Sequence, residues 1–189
     1  MKTETRKQEI IQTAARLFKE KGYSAVTMRD LAAGMGIKAA SLYNHISSKQ
    51  DILKEIIISI AEEFTKGMEI IRSSENDAIS KLKEIITLHV EITSNNTYGM
   101  ASLNNDWMHL EEQLEYYLEL RYKYEDNFRD IIKEGIKSGD IIKENSDTIL
   151  FSILSTLRSL YLWIPKKEDL NPEKLAQSLS SVLIHGVRK

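Results

Sequence analysis

Along most of the chain apolar residues recur three and four positions apart, the spacing that gathers them on one side of an α-helix, and strand-like alternation is almost absent. Ile10, Ile11, Ala14, Leu17 and Phe18 share a face in the first such stretch, and Gly22 stands where a left-handed residue would close it. Thr27 opens a second helix, because TMRD sets a hydroxyl three positions before an acid, the pairing of a capping box. Leu31 and Ala32 give it an inner side, and it ends near Gly34 to Gly36. A short third helix follows from about Ala39 to Ile46. Ser47 or Ser48 can cap the fourth, with Gln50 or Asp51 reaching back, and Ile52, Leu53, Ile56, Ile57 and Ile60 carry it toward Ile71. The polar run RSSEND interrupts at 72–77. Further helices are predicted at about 77–94, 98–110, 112–138, 147–164 and 172–187, with Gly139 after the longest and Pro165 and Pro172 bracketing the last connection. The expectation is an all-α fold of about nine helices.

Helices two and three are short and joined by a tight turn, roughly AGMGIK. Two helices with a glycine-containing turn between them make a helix-turn-helix unit, whose second helix enters the DNA major groove. In that frame Lys38, Ala39, Ala40 and Ser41 start the groove-facing helix, low enough for close approach and with methyls that can meet thymine. Leu42 and Ile46, four apart, turn inward. Tyr43 and His45 fall on the flanks, within reach of phosphates, and Asn44 can address a phosphate or a base edge. Lys49 adds a cation at the start of the fourth helix, and Thr27 offers a hydroxyl and nearby amides on the other side. Arg29 is a further candidate DNA contact, with a carboxylate partner or solvent as its alternatives.

Charge fits that division. The net charge of −2 splits into +4 for residues 1–55 and −6 for the rest, so a basic head precedes an acidic body and only the head is expected to meet a polyanion. The expected domains are therefore a DNA-binding head at 1–50 and a larger helical body at 51–189. Cysteine is absent, which excludes disulfides, thiolate metal sites and cysteine nucleophiles. The histidines at 45, 89, 109 and 185 lack metal-ligand spacing, and no serine elbow, phosphate-cradling loop or dinucleotide fingerprint occurs. No enzyme, no metal and no cofactor is expected. The charged amino terminus is unlike a signal peptide, and no apolar run seen in the sequence reaches the roughly 20 residues of a membrane span, so a cytoplasmic protein without a membrane partner is expected. A helical protein-interaction adaptor without DNA binding is the rival from another class.

The run TMRDLAAGMGIKAASLYNHISSKQDIL resembles the amino-terminal signature of TetR-type transcriptional regulators. Thr27, Leu31 and Ala32 match its second-helix pattern, and Leu42, Tyr43, His45, Ile46, Ser48 and Lys49 match the run that follows. Ile46 stands where an aromatic is more usual and Ala40 where glycine is common. The resemblance covers about residues 5–55 and implies operator DNA as partner, a homodimer, and a helical second domain that senses a small molecule.

In the body, Ile149, Leu150, Ile153, Leu154, Leu157, Leu160, Tyr161 and Ile164 form one broad apolar face, and Leu175, Leu179, Val182, Leu183 and Gly186 form another. Two such helices from each chain would make a four-helix bundle, with Leu150, Leu154, Leu157, Leu175, Leu179, Val182 and Leu183 at the dimer interface. Intramolecular core is the alternative use of both faces. Aromatics crowd residues 98–128, and Trp107, His109, Tyr117, Arg121, Tyr124 and Arg129, with Arg158 and Tyr161, are candidates for a ligand pocket. The run from Asp106 to Ile141, followed by LRSLYLWIP, is similar to the carboxy-terminal half of TetR-type repressors of lipid and steroid catabolism. That similarity implies an acyl-CoA effector, with Arg121, Arg129 and Arg158 for its anionic part. Another hydrophobic or aromatic molecule, or no ligand, remains open, as does activation in place of repression.

Overall fold

Thr27 shows why local sequence fixes the helices here: its hydroxyl accepts from the Asp30 amide at 3.2 Å while the Asp30 carboxylate accepts from the Thr27 amide at 2.8 Å. That completed capping box starts α2 (Met28–Gly34), after α1 (Arg6–Lys21). The computed structural model describes residues 6–185 and, among these, is helical without strands apart from one isolated bridge residue. Helix α3 (Ala39–Tyr43) follows, then α4 (Lys49–Ser73), α5 (Ala78–Asn95), α6 (Thr97–Asn105), α7 (Leu114–Ser138), α8 (Ser146–Arg158), α9 (Leu160–Trp163) and α10 (Pro172–His185). Helix α9 is one turn that continues α8 after a break at Ser159.

Two compact units emerge. One gathers the chain up to Ala61 with Tyr98–Tyr117; the other gathers Glu62–Thr97 with the chain from Leu118 onward. In the first, α1, α2 and α3 pack around Ile10, Phe18, Leu31 and Leu42, all fully or almost fully buried. In the second, α10 lies along α5, and α8 and α9 pack on the same helix. The division expected at residue 50 falls in the first turn of α4, and the compact units are drawn differently, because α4 and α7 each supply residues to both.

Three expectations need correction, and the choice between two capping serines is decided. Helix α3 ends at Tyr43, and His45 and Ile46 turn back to the Leu42 carbonyl without prolonging it. Ser48, not Ser47, caps α4, its Oγ accepting from the Asp51 amide at 3.0 Å. The helix predicted at 98–110 stops at Asn105 and passes into two single 3-10 turns, Trp107–His109 and Glu111–Gln113. The stretch Ser146–Lys166 is long and apolar enough to cross a membrane, with a mean hydropathy of 1.3. Its inner side is nevertheless core of the second unit, where Ile149, Ile153, Leu154 and Leu157 are buried. The predicted end of α10 at 187, with Gly186, lies outside the described residues.

Candidate nucleic-acid interface

The turn between α2 and α3 closes on Gly36, whose φ of +66° is left-handed backbone that a side chain disfavours. With it the Ile37 amide reaches the Ala32 carbonyl at 3.0 Å and the Gly36 amide reaches Ala33 at 3.1 Å, the paired bonds of a Schellman ending. The chain therefore reverses within a few residues and α3 starts at Ala39. Leu42 is fully buried and Ile46 nearly so, which anchors one side of the short helix. Lys38, Ala40, Tyr43, Asn44 and His45 are exposed, and Ala39 and Ser41 are half-exposed. Tyr43 keeps 54% of its surface open, so its ring and hydroxyl are accessible to a partner. Arg29 is exposed on α2, as a DNA contact requires.

Two expected phosphate contacts are otherwise engaged. The Thr27 hydroxyl donates to Asp30 at 2.5 Å, and its bonds hold the Asp30 carboxyl below its ordinary pKa. A donor committed to a neighbouring carboxylate is not free for a phosphate, so in this structure Thr27 is a cap first. The Lys49 ammonium donates to the carbonyls of Tyr23 and Val26 at 2.8 and 2.9 Å and lies 4.2 Å from the Tyr23 ring centroid. At most one of its three N–H groups is left for DNA.

The ligand-pocket candidates are distributed over both units. Trp107 rests against Tyr117 in the first unit, with ring centroids 5.9 Å apart. His109 stacks on Tyr23, at 5.2 Å and 27° between planes, and its carbonyl accepts from the Gln50 amide. Arg129 ties Asp126 to Asp147 at the surface, where it braces the first turn of α8. Arg158 and Arg121 do converge, on the carboxylate of Glu125 at 2.5 and 3.1 Å. Burial alone would raise the Glu125 pKa; hydrogen bonds and charge from the two guanidiniums overcome it and lower it. Tyr124 and Tyr161 are buried in the same unit. Tyr124 bonds His89 through its hydroxyl at 2.8 Å, and burial, with the Arg158 charge, pushes His89 down to about 3 while burial raises Tyr124. His89 Nδ1 and Thr93 Oγ1, four residues apart on α5, have no hydrogen-bond partner.

The dimer candidates separate too. Leu150, Leu154 and Leu157 are buried within the chain, the last completely, so they have no surface left for a partner and belong to the core. Leu175, Leu179 and Leu183 are half-buried, whereas Val182 is 69% exposed. The outward side of α8 instead presents Phe151, 71% exposed, with Ser152 and Ser155.

Sequence reasoning passed over Tyr23, Gln50, His89 and Glu125 as site residues. Glu125 carried a visible signal, its i+4 spacing from Arg121. Tyr23 and Gln50 meet across a separation of 27 residues and carried none.

Taken together, the capped α2, the glycine turn and an α3 with a buried back and an exposed polar front define a helix-turn-helix DNA-binding regulator. Residues 10–56 match the family model of bacterial regulatory proteins of the tetR family, and residues 75–187 match that of the tetracyclin repressor-like C-terminal domain. The chain belongs to the TetR family and is a transcriptional regulator, not an enzyme. It is 26% identical over 186 residues to the HTH-type transcriptional repressor KstR2 of Rhodococcus jostii, covering 96% of this chain and 91% of that protein. It is 45% identical over 51 residues, 27% of each chain, to IcaR of Staphylococcus aureus, the negative regulator of the biofilm operon icaADBC. The solved structure of the ketosteroid transcriptional regulator KstR2 of Mycobacterium tuberculosis superposes with a TM-score of 0.91 at 21% identity, covering 100% of this chain and 97% of that one, and so shares the fold.

Proposed function

We propose that the protein is a homodimeric repressor that presents two α3 helices to a palindromic operator and lets go when a small hydrophobic or acyl-CoA-type effector enters its helical body. The observation that carries the reading is α3 itself, with Leu42 wholly buried behind it and Lys38, Ala40, Tyr43, Asn44 and His45 exposed in front. Ala40 and Ser41 address base edges, and Lys38, Tyr43, His45 and the remaining Lys49 proton address phosphates. Reading successive major grooves needs two such helices about 34–36 Å apart, hence a dimer.

Support for that dimer comes from the exposed apolar residues Phe151, Leu162 and Val182, which a partner's α8 and α10 would cover. The effector is argued from the second unit, where Arg158 and Arg121 share Glu125. An anionic group can replace that carboxylate only by offering equivalent charge-assisted bonds, which a carboxylate or phosphate does. The likeness to a protein named a ketosteroid transcriptional regulator supports an effector of lipid type. Helix α4 follows α3 after a short connection and contributes residues to both units, so an effector that displaces it spoils the spacing of the reading helices. The protein acts in the cytoplasm, where its DNA is.

The test is to select duplexes from a random pool with the purified protein and titrate the complex with acyl-CoAs of increasing chain length. Affinity that stays constant across the series removes that effector class. A strictly monomeric protein, indifferent to every duplex at low ionic strength, overturns the whole reading.

A further inference from the structure

Helix α3 has only five residues, too few to hold a conformation or a direction unaided. Its direction is set by what precedes and follows it, α2 and the start of α4. A cluster in the first unit ties these two together. The Tyr23 hydroxyl donates to Gln50 Oε1 at 2.6 Å, and Gln50 Nε2 donates to the His109 carbonyl at 2.5 Å. The His109 ring stacks on the Tyr23 ring, whose other contacts are the Phe18 ring at 5.1 Å and the Lys49 ammonium. Tyr23 belongs to the turn that feeds α2, Gln50 to the first turn of α4, and His109 to the 3-10 turn after α6.

The chemistry of the clasp is directional. Gln50 accepts with one atom and donates with the other, a combination that neither a carboxylate nor an apolar side chain provides. The ring stack needs an aromatic plane at 109 but no particular charge.

From this arrangement we infer that Tyr23, Gln50 and His109 are positioning residues for DNA reading. They hold the α1–α2 turn against the start of α4, and so aim α3, without touching DNA themselves. The inference rests on the assignment of α3 as the reading helix, and it gives the turn at 107–109 a role in the head where an effector contact was expected.

The experiment compares the full-length protein with Gln50→Leu, Gln50→Glu, His109→Ala and His109→Phe. Three quantities are measured: affinity for a duplex selected by the wild type, amide exchange of residues 22–27, and the thermal midpoint. Gln50→Leu, Gln50→Glu and His109→Ala are expected to bind roughly tenfold more weakly and exchange faster in that turn, as follows from losing one or two modest contacts. Their midpoints move by a few degrees only, and His109→Phe keeps wild-type affinity. Should Gln50→Leu fail to fold, Gln50→Glu carries the comparison, since it still accepts from Tyr23. Unchanged affinity despite a loosened turn overturns the inference. So does equal loss in His109→Phe, or a loss that merely follows the unfolded fraction. A wild type that selects no duplex fails the functional reading instead, which separates the two.

Discussion

Acidification offers a quantitative check on the interior of the second unit. His89 is almost wholly buried, lies tilted against Phe64 with ring centroids 4.5 Å apart and meets the Tyr124 hydroxyl. Burial first, and the positive charge of Arg158 second, depress it from 6.5 to about 3. The folded protein therefore keeps His89 neutral over a range where the unfolded chain protonates it. Between about pH 6.5 and about pH 3 the unfolded state binds the extra proton, so stability falls as pH falls, by at most about 1.4 kcal/mol per pH unit. Above that window the group contributes no pH dependence. Integrated from about pH 7 to about pH 4.5, the loss from this one residue is about 2.5 kcal/mol. The perturbation is His89→Gln, which cannot titrate and keeps an acceptor for Tyr124. Urea unfolding of both proteins at the two pH values, at one protomer concentration, isolates the effect: carboxylates such as Glu125 are common to both and cancel. Wild type should lose about 2.5 kcal/mol more than the variant on acidification. Equal losses, within about 0.5 kcal/mol, would refute the claim that His89 is held neutral by its surroundings.

Other changes test other parts of the molecule. Tyr43→Ala, at an exposed position, should weaken binding to a selected duplex about tenfold in a filter or anisotropy assay while the thermal midpoint stays within about 2 °C. Gly36→Ala places a side chain at positive φ and should cost about 1–2 kcal/mol in urea unfolding, with DNA affinity falling alongside because the turn aims α3. Phe151→Glu with Val182→Glu puts charges on the exposed apolar side of α8 and α10; if the wild type forms the proposed dimer in light scattering, the variant should be monomeric, and an unshifted dimer would refute this contact.

The residues that specify helices could be read locally. The Thr27–Asp30 cap, the Gly36 turn and the spacing of Leu42 and Ile46 are short-range facts. They sufficed for the helix-turn-helix and for which side of α3 looks outward. Periodicity also said which faces of α8 and α10 are apolar, but not what covers them. Leu154 and Leu157 and the exposed Phe151 have the same chemistry, and only packing separates an inward leucine from an outward phenylalanine. Long-range polar partners lay equally out of reach. Arg158 finds Glu125 across 33 residues, and Gln50 finds the His109 carbonyl across 59. A sequence states that such side chains need partners, because leaving them unpaired in the interior is costly. Which partner each one meets depends on how separate helices are brought together, and that was decided by the tertiary structure.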